Sequence, residues 1–246
     1  MNNEYYEKFN KDCGRLLIIS RIYSAAALGS VMFSIGIIGL LIMELSGDTA
    51  VNTVPIWIFL ILTDALSIIL LCAIPRSIKK DFVGEKSEPY TFDLTYGSYD
   101  ELCRRIDGRF GFEEENGCRF TYAKGKRNLK IFVYHFQFFD KKTFKITRKN
   151  CVESINKKHS FRNYGPMEEV AKNIHADVIM IDKPDEGLYA AARVNAEHGM
   201  SYVESRFTAF VDIENMKLYI PKYIGEDQRE AFNYTYAAKV LIKGLI

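Results

Sequence analysis

The sequence predicts an α+β domain, organised as a tandem βαββα duplication and preceded by a two-helix transmembrane hairpin. Three observations carry that expectation. Two long apolar runs occupy the first third of the chain, strand-like and helix-like patterns alternate after them, and one strand phrase recurs at a constant offset of 87 residues.

Residues 1–21 read as a basic lead-in, with Lys8, Lys11, Arg15 and Arg21 ahead of the first apolar run. The run over 22–43 holds no charged residue, and a helix of that length spans roughly 30 Å, the thickness of a bilayer core. It exceeds the apolar core of a cleaved signal and is followed by a second run over 51–74, so both are expected to be retained spans. Pro55 falls in the first turn of the second span, where its missing N–H is least costly. The short loop ELSGDTA makes the pair a tight antiparallel hairpin, and residues 22–75 form that unit. Arg76, Lys79 and Lys80 follow the hairpin, whereas the loop carries only Glu44 and Asp48. By the positive-inside rule both termini, and the domain after the hairpin, are expected to be cytoplasmic at the cell membrane.

A linker over 76–89 leads into the first βαββα unit, residues 90–157. Its expected elements are a strand at 90–95, a helix at 99–106, strands at 118–123 and 129–135, and a helix at 145–156. The acidic run Glu113, Glu114 and Glu115 reads as a charged loop. A connecting segment over 158–176 includes a helix at 166–174, which opens with Pro166, Glu168 and Glu169 in the manner helices prefer. The second unit, 177–246, repeats the order with a strand at 177–181, a helix at 187–196, strands at 202–211 and 216–220, and a helix at 228–242.

The duplication rests on RFTYAKGKRNLKIF and RFTAFVDIENMKLY, which begin at Arg119 and Arg206 and share five of fourteen positions. Period-2 alternation puts Leu129, Ile131 and Val133 of one copy on the face that Met216, Leu218 and Ile220 occupy in the other. Two such layers are expected to make one continuous sheet or two lobes about a junction.

Charge bounds the function. The whole chain is nearly balanced at +2, and no signature for binding single strands accompanies the aromatic and basic residues of NLKIFVYHFQFF, so nucleic acid is not an expected partner. The first unit has 14 Lys/Arg against 9 Asp/Glu, and the second has 8 against 11. Lys124, Lys126 and Arg127, in the first hairpin turn, form the candidate contact with anionic lipid headgroups or a partner protein.

The five cysteines lie at irregular spacing and the four histidines stand far apart, so neither a disulfide framework nor a metal site is expected, and no cofactor is implied. The triplet Asn233-Tyr234-Thr235 matches a glycosylation sequon that a cytoplasmic domain does not use. No catalytic fingerprint is present, so an enzyme is not the leading expectation. Asp182, Asp212, Glu214 and Lys217 supply the alternative, a membrane-tethered metal-dependent hydrolase or nuclease, because an acidic pair and a lysine on adjacent strands hold Mg²⁺ and stabilise developing charge. Within the spans Asp64 is costly in lipid, and it is expected to be protonated, partnered, or both. Counting from the span ends places it at the depth of Ser30 and Ser34, and Ala25, Gly29, Gly36 and Gly39 allow close helix approach. Homo-oligomerisation through the spans is a further expectation. The leading expectation is thus a two-pass protein whose cytoplasmic module binds, scaffolds or regulates at the membrane surface.

Overall fold

The computed structural model describes residues 3–46, 54–82, 88–95, 100–102, 104–105, 111, 113–115, 117–124, 128–159, 173–193, 205–223 and 228–246. Helix α1 (Asn3–Leu45) is followed by α2 (Val54–Phe82), β1 (Tyr90–Asp93), β2 (Glu113–Glu115), β3 (Cys118–Lys124) and β4 (Asn128–Phe136). Then come α3 (Lys141–His159), β5 (Asn173–Ile181), α4 (Glu186–Arg193), β6 (Ser205–Asp212), β7 (Lys217–Ile220) and α5 (Gln228–Leu245). Residues 100–102 and 104–105 are also helical.

Two of these helices, α1 and α2, are long and apolar enough to cross a membrane. They lie against each other as a hairpin whose close points follow the small residues. A Cβ on Gly36 would meet Leu60 at 3.4 Å, and one on Gly29 would meet Ser67 Oγ at the same distance. Phe33 and Phe59 pack edge to face at 6.4 Å, and Trp57 Nε1 donates to Glu44 Oε1 at 2.7 Å.

Beyond the hairpin the described residues form one mixed sheet of seven strands, in the order β1-β7-β6-β5-β4-β3-β2. Strands β4, β5 and β6 are parallel neighbours, and every other pairing is antiparallel. Parallel neighbours need a crossover, which α3 and α4 provide. Both crossovers step the same way across the sheet, so right-handedness sends both helices to the same face. That face buries Cys118, Phe120, Phe132, Tyr134, Ile179 and Phe210 with Cys151 and Ile155 of α3 and Leu188 and Ala192 of α4. The opposite face carries Leu129, Ile131, Val133, Leu218 and Ile220 against α5, with Met216 packed at its margin.

The first and last helices complete this second face. Phe9, Cys13 and Leu16 of α1 are buried there, and the Phe9 ring meets Tyr90 at 5.1 Å and Phe92 at 6.0 Å, edge to face in both cases. Asp12 accepts a 2.8 Å bond from the Tyr90 hydroxyl. The basic lead-in, from Asn3 onward, is therefore the near end of an unbroken helix that serves the domain's core before it reaches the apolar run.

Several sequence expectations change in detail. Glu113–Glu115 form an edge strand rather than a loop, pairing with Phe120, Arg119 and Cys118. Acidic residues suit an edge strand because they discourage further pairing. Strand β5 begins at Asn173, so residues 173–174 belong to a strand and not to the end of a connecting helix; residues 166–172 lie outside the described residues. The residues themselves alternate, with Ile174, Ala176 and Val178 in the core on one face and His175 and Asp177 buried on the other, so both faces of this central strand are covered. The two hairpins, β3-β4 and β6-β7, are alike, but the leading strands are not: β5 lies beside β6 of its own unit, while β1 sits at the sheet edge on β7 of the other.

Candidate functional site

Toward their starting ends, strands β4, β5 and β6 carry polar residues on an inward face. On the face covered by α3 and α4, register aligns Lys130, His175 and Arg206 in one row and Phe132, Asp177 and Thr208 in the next. Lys130, His175 and Asp177 are all buried. His175 Nε2 stands 2.8 Å from Asp177 Oδ1, and Phe132 stacks on the imidazole at 4.3 Å. From α3, Arg148 Nε approaches Asp177 Oδ2 to 2.8 Å, an ion pair whose N–H is not aimed squarely at the oxygen. A carboxylate only 2% exposed requires such partners, because an unpaired buried charge is strongly unfavourable.

Above this floor, between α3 and α4, lies a cavity of about 380 Å³. Phe139, Phe144, Ile179 and Phe210 give it apolar walls, and Ala190 and Ala191 of α4 leave it open. Lys141, Lys145, Arg148 and Arg206 line it, and among the described residues Asp177 is the single acid of the lining.

Capping residues hold both helices in place. Asp140 accepts from the amides of Lys142 and Thr143 at the start of α3, and from the Thr143 hydroxyl. These bonds, the Thr143 hydroxyl first, hold its carboxyl below the ordinary value of 3.8. Asp185 accepts from Leu188 N at 2.8 Å at the start of α4. Under α3 the Tyr134 hydroxyl is buried with no hydrogen-bond partner among the described residues, and burial, reinforced by Asp177, keeps it protonated. Cys118 is buried beside Cys151, and burial raises its thiol above the ordinary range.

The residues singled out from sequence are distributed elsewhere. Asp182 follows β5 and meets His135 Nε2 at 2.7 Å. Asp212 is fully buried and accepts from the amide and side chain of Asn215, both at 2.9 Å, so it organises the β6-β7 turn. That turn needs a left-handed residue, supplied by Met216 at φ 50°. Glu214 is exposed in the turn, and Lys217 lies opposite Asp212 and, on its other side, Asp93. Among the described residues no group of three or more His, Cys, Asp or Glu is placed to hold a metal ion. Lys126, Arg127 and the side chain of Lys124 lie outside the described residues.

In the hairpin, the Ser30 hydroxyl donates to Asp64 Oδ1 at 2.8 Å. Ser34, half-buried, lies one turn further along α1. Asn233 of the sequon is buried and donates to Ser205 Oγ at 2.7 Å. Phe132 and Tyr134, two of the aromatics interleaved with basic residues, are also buried and offer no stacking surface.

The sequence marks Lys141, Lys145 and Arg148 of the lining only as part of the basic first unit and gives Asp177 and Arg206 no role, although a signal for the buried polar row beneath the cavity exists. Lys130, His175 and Asp177 are polar positions of inward parity in β4 and β5, and buried polar groups of that kind are candidates for function. Comparison of the chain with protein-family models, curated proteins and solved structures returned no match.

Proposed function

We propose that this is a two-pass membrane protein with both termini cytoplasmic, whose α+β domain is a binding and regulatory module held at the membrane surface. The cavity between α3 and α4 is its ligand site. The observation that carries this reading is the unbroken α1. One helix contributes Phe9, Cys13 and Leu16 to the domain's core and then supplies the first apolar run, beginning at residue 22. At 1.5 Å per residue, Leu16 lies only about 9 Å along the axis from that run. The domain is therefore read as fixed to the bilayer by a rigid rod.

The same rod supports an orientation. Arg21, at the base of the first span, sits over Phe232 of α5, and the next residue, Asn233, binds Ser205 at the start of β6. The starting ends of β4, β5 and β6 are then the membrane-facing rim, and Lys124, Lys126 and Arg127, which precede β4 in the sequence, are proposed as its headgroup contacts. Cations on that rim meet anionic headgroups at roughly 1 kcal/mol each near the surface. The recurring phrase supports an origin of the domain by internal duplication, and the small-residue faces of the spans support self-association.

Membrane-impermeant maleimide applied to intact cells tests the orientation. A cysteine at Asp48 is expected to label at once and one at Glu114 only after permeabilisation; the opposite pattern would overturn it. For the rim, cosedimentation of the protein with anionic liposomes should fall with salt and with neutralisation of Lys124, Lys126 and Arg127 together. Indifference to both would remove the lipid contact.

A further inference from the structure

We infer that the cavity takes a small amphiphilic anion, an apolar or aromatic body bearing one carboxylate or phosphate, and that Arg206 binds the charged group. This rests on the reading of the domain as a binding module and names what the module binds. At about 380 Å³ the cavity falls within the range of small-molecule sites, roughly 300–1,000 Å³. The walls of Phe139, Phe144, Ile179 and Phe210 demand an apolar body, because an inorganic anion alone would leave aromatic surface uncovered.

The sign of the ligand follows from the charges of the lining. Among the described residues its single acid, Asp177, is buried and already answered by Arg148 and His175, so it offers nothing to a cationic ligand. Counted over the described residues, Lys141, Lys145, Arg148 and Arg206 outnumber that one acid, and a cation entering there would meet like charge. Arg206 is exposed at the start of β6 and its guanidinium presents a planar fork of donors, which matches a carboxylate or a phosphate. The short side chains of Ala190 and Ala191 keep the space open, so cavity and charge can be altered separately.

The full chain in phosphatidylcholine nanodiscs, titrated with naphthoate, naphthyl phosphate and uncharged naphthamide, tests the inference, with empty discs as background. An anion should bind at least about tenfold more tightly than the amide. Arg206→Gln should remove about fivefold to tenfold of that preference. Ala190→Phe, which fills the cavity and leaves the cations in place, should abolish binding of all three probes. Equal affinity for naphthoate and naphthamide, unchanged by Arg206→Gln, would overturn the anion while leaving a binding cavity. No binding by any probe would overturn the cavity as the site, and the labelling and liposome results would still stand or fall separately. Displacement of naphthyl phosphate by discs containing phosphatidate assigns the anionic group to a lipid; undiminished binding assigns it to a soluble ligand.

Discussion

Phe9→Ala tests whether the start of the first helix is part of the domain's core. The ring is fully buried and packs edge to face on Tyr90 and Phe92, the two inward residues of the edge strand β1. Truncating a buried Phe costs about 3–5 kcal/mol through lost transfer energy and the cavity left behind. For a domain of this size each kcal/mol shifts the midpoint by about 2–4 °C, so the melting temperature should fall by roughly 6–20 °C. Maleimide modification during a temperature ramp, resolved cysteine by cysteine with mass spectrometry, provides the assay. Cys118 and Cys151 are buried on the far face of the sheet and report opening of the whole domain, whereas Cys13 reports detachment of α1 alone. All three should become reactive together and earlier in the variant. Ile18→Ala, at a side chain 59% exposed, should shift the ramp by little, within about 0.5 kcal/mol. Unchanged protection of Cys118 and Cys151 alongside early exposure of Cys13 would refute the reasoning, since α1 would then be a detachable strap.

Other perturbations probe the buried ion pair, the spans and the cap of α3. Arg148→Met leaves Asp177 short of its main cation and should destabilise the domain by about 3–5 kcal/mol, with Arg148→Met/Asp177→Asn recovering most of that loss in denaturant unfolding. Replacing Asp64 by Leu removes the bond from Ser30 and should weaken association of the spans in membranes, while Asn, which still accepts that bond, should preserve it; unchanged association with Leu would remove Asp64 from the contact. The carboxyl of Asp140 is depressed on folding, so its capping of α3 is present above its unfolded value and is lost as pH falls through the lower folded value. Hydrogen-exchange protection of the Lys142 and Thr143 amides should drop over that acid window, and Asp140→Asn, which keeps the cap, should flatten the response.

Legibility differed by element for physical reasons. The hairpin strands were readable from Leu129, Ile131 and Val133 because period-2 alternation survives wherever the two faces differ. The start of β5 was not: His175 and Asp177 alternate there with Ile174 and Ala176, but packing on both faces buries the polar set as well as the apolar one. Asp212 drew attention as a carboxylate near Lys217, yet a tight turn claims it through Asn215. Asp177, the acid at the floor of the cavity, stands out by its inward parity, but its burial depends on α3 packing over the strand. Of its partners, His175 lies two residues away on the same strand, whereas Arg148 becomes a neighbour only once α3 packs over β5.

By itself the sequence determined the two apolar helices, the α+β class of the chain beyond them, the hairpin faces and the depth that Asp64 shares with Ser30. Those features depend on composition and on periods of two or 3.6 residues, which are local. Tertiary structure alone decided that α1 belongs to the core as well as to the hairpin, that β1 closes the far edge of the sheet, and that a cationic, aromatic-walled cavity opens over β5 and β6. Each of those depends on contacts between segments far apart in the chain, where only the folded packing selects which polar residues share a buried row.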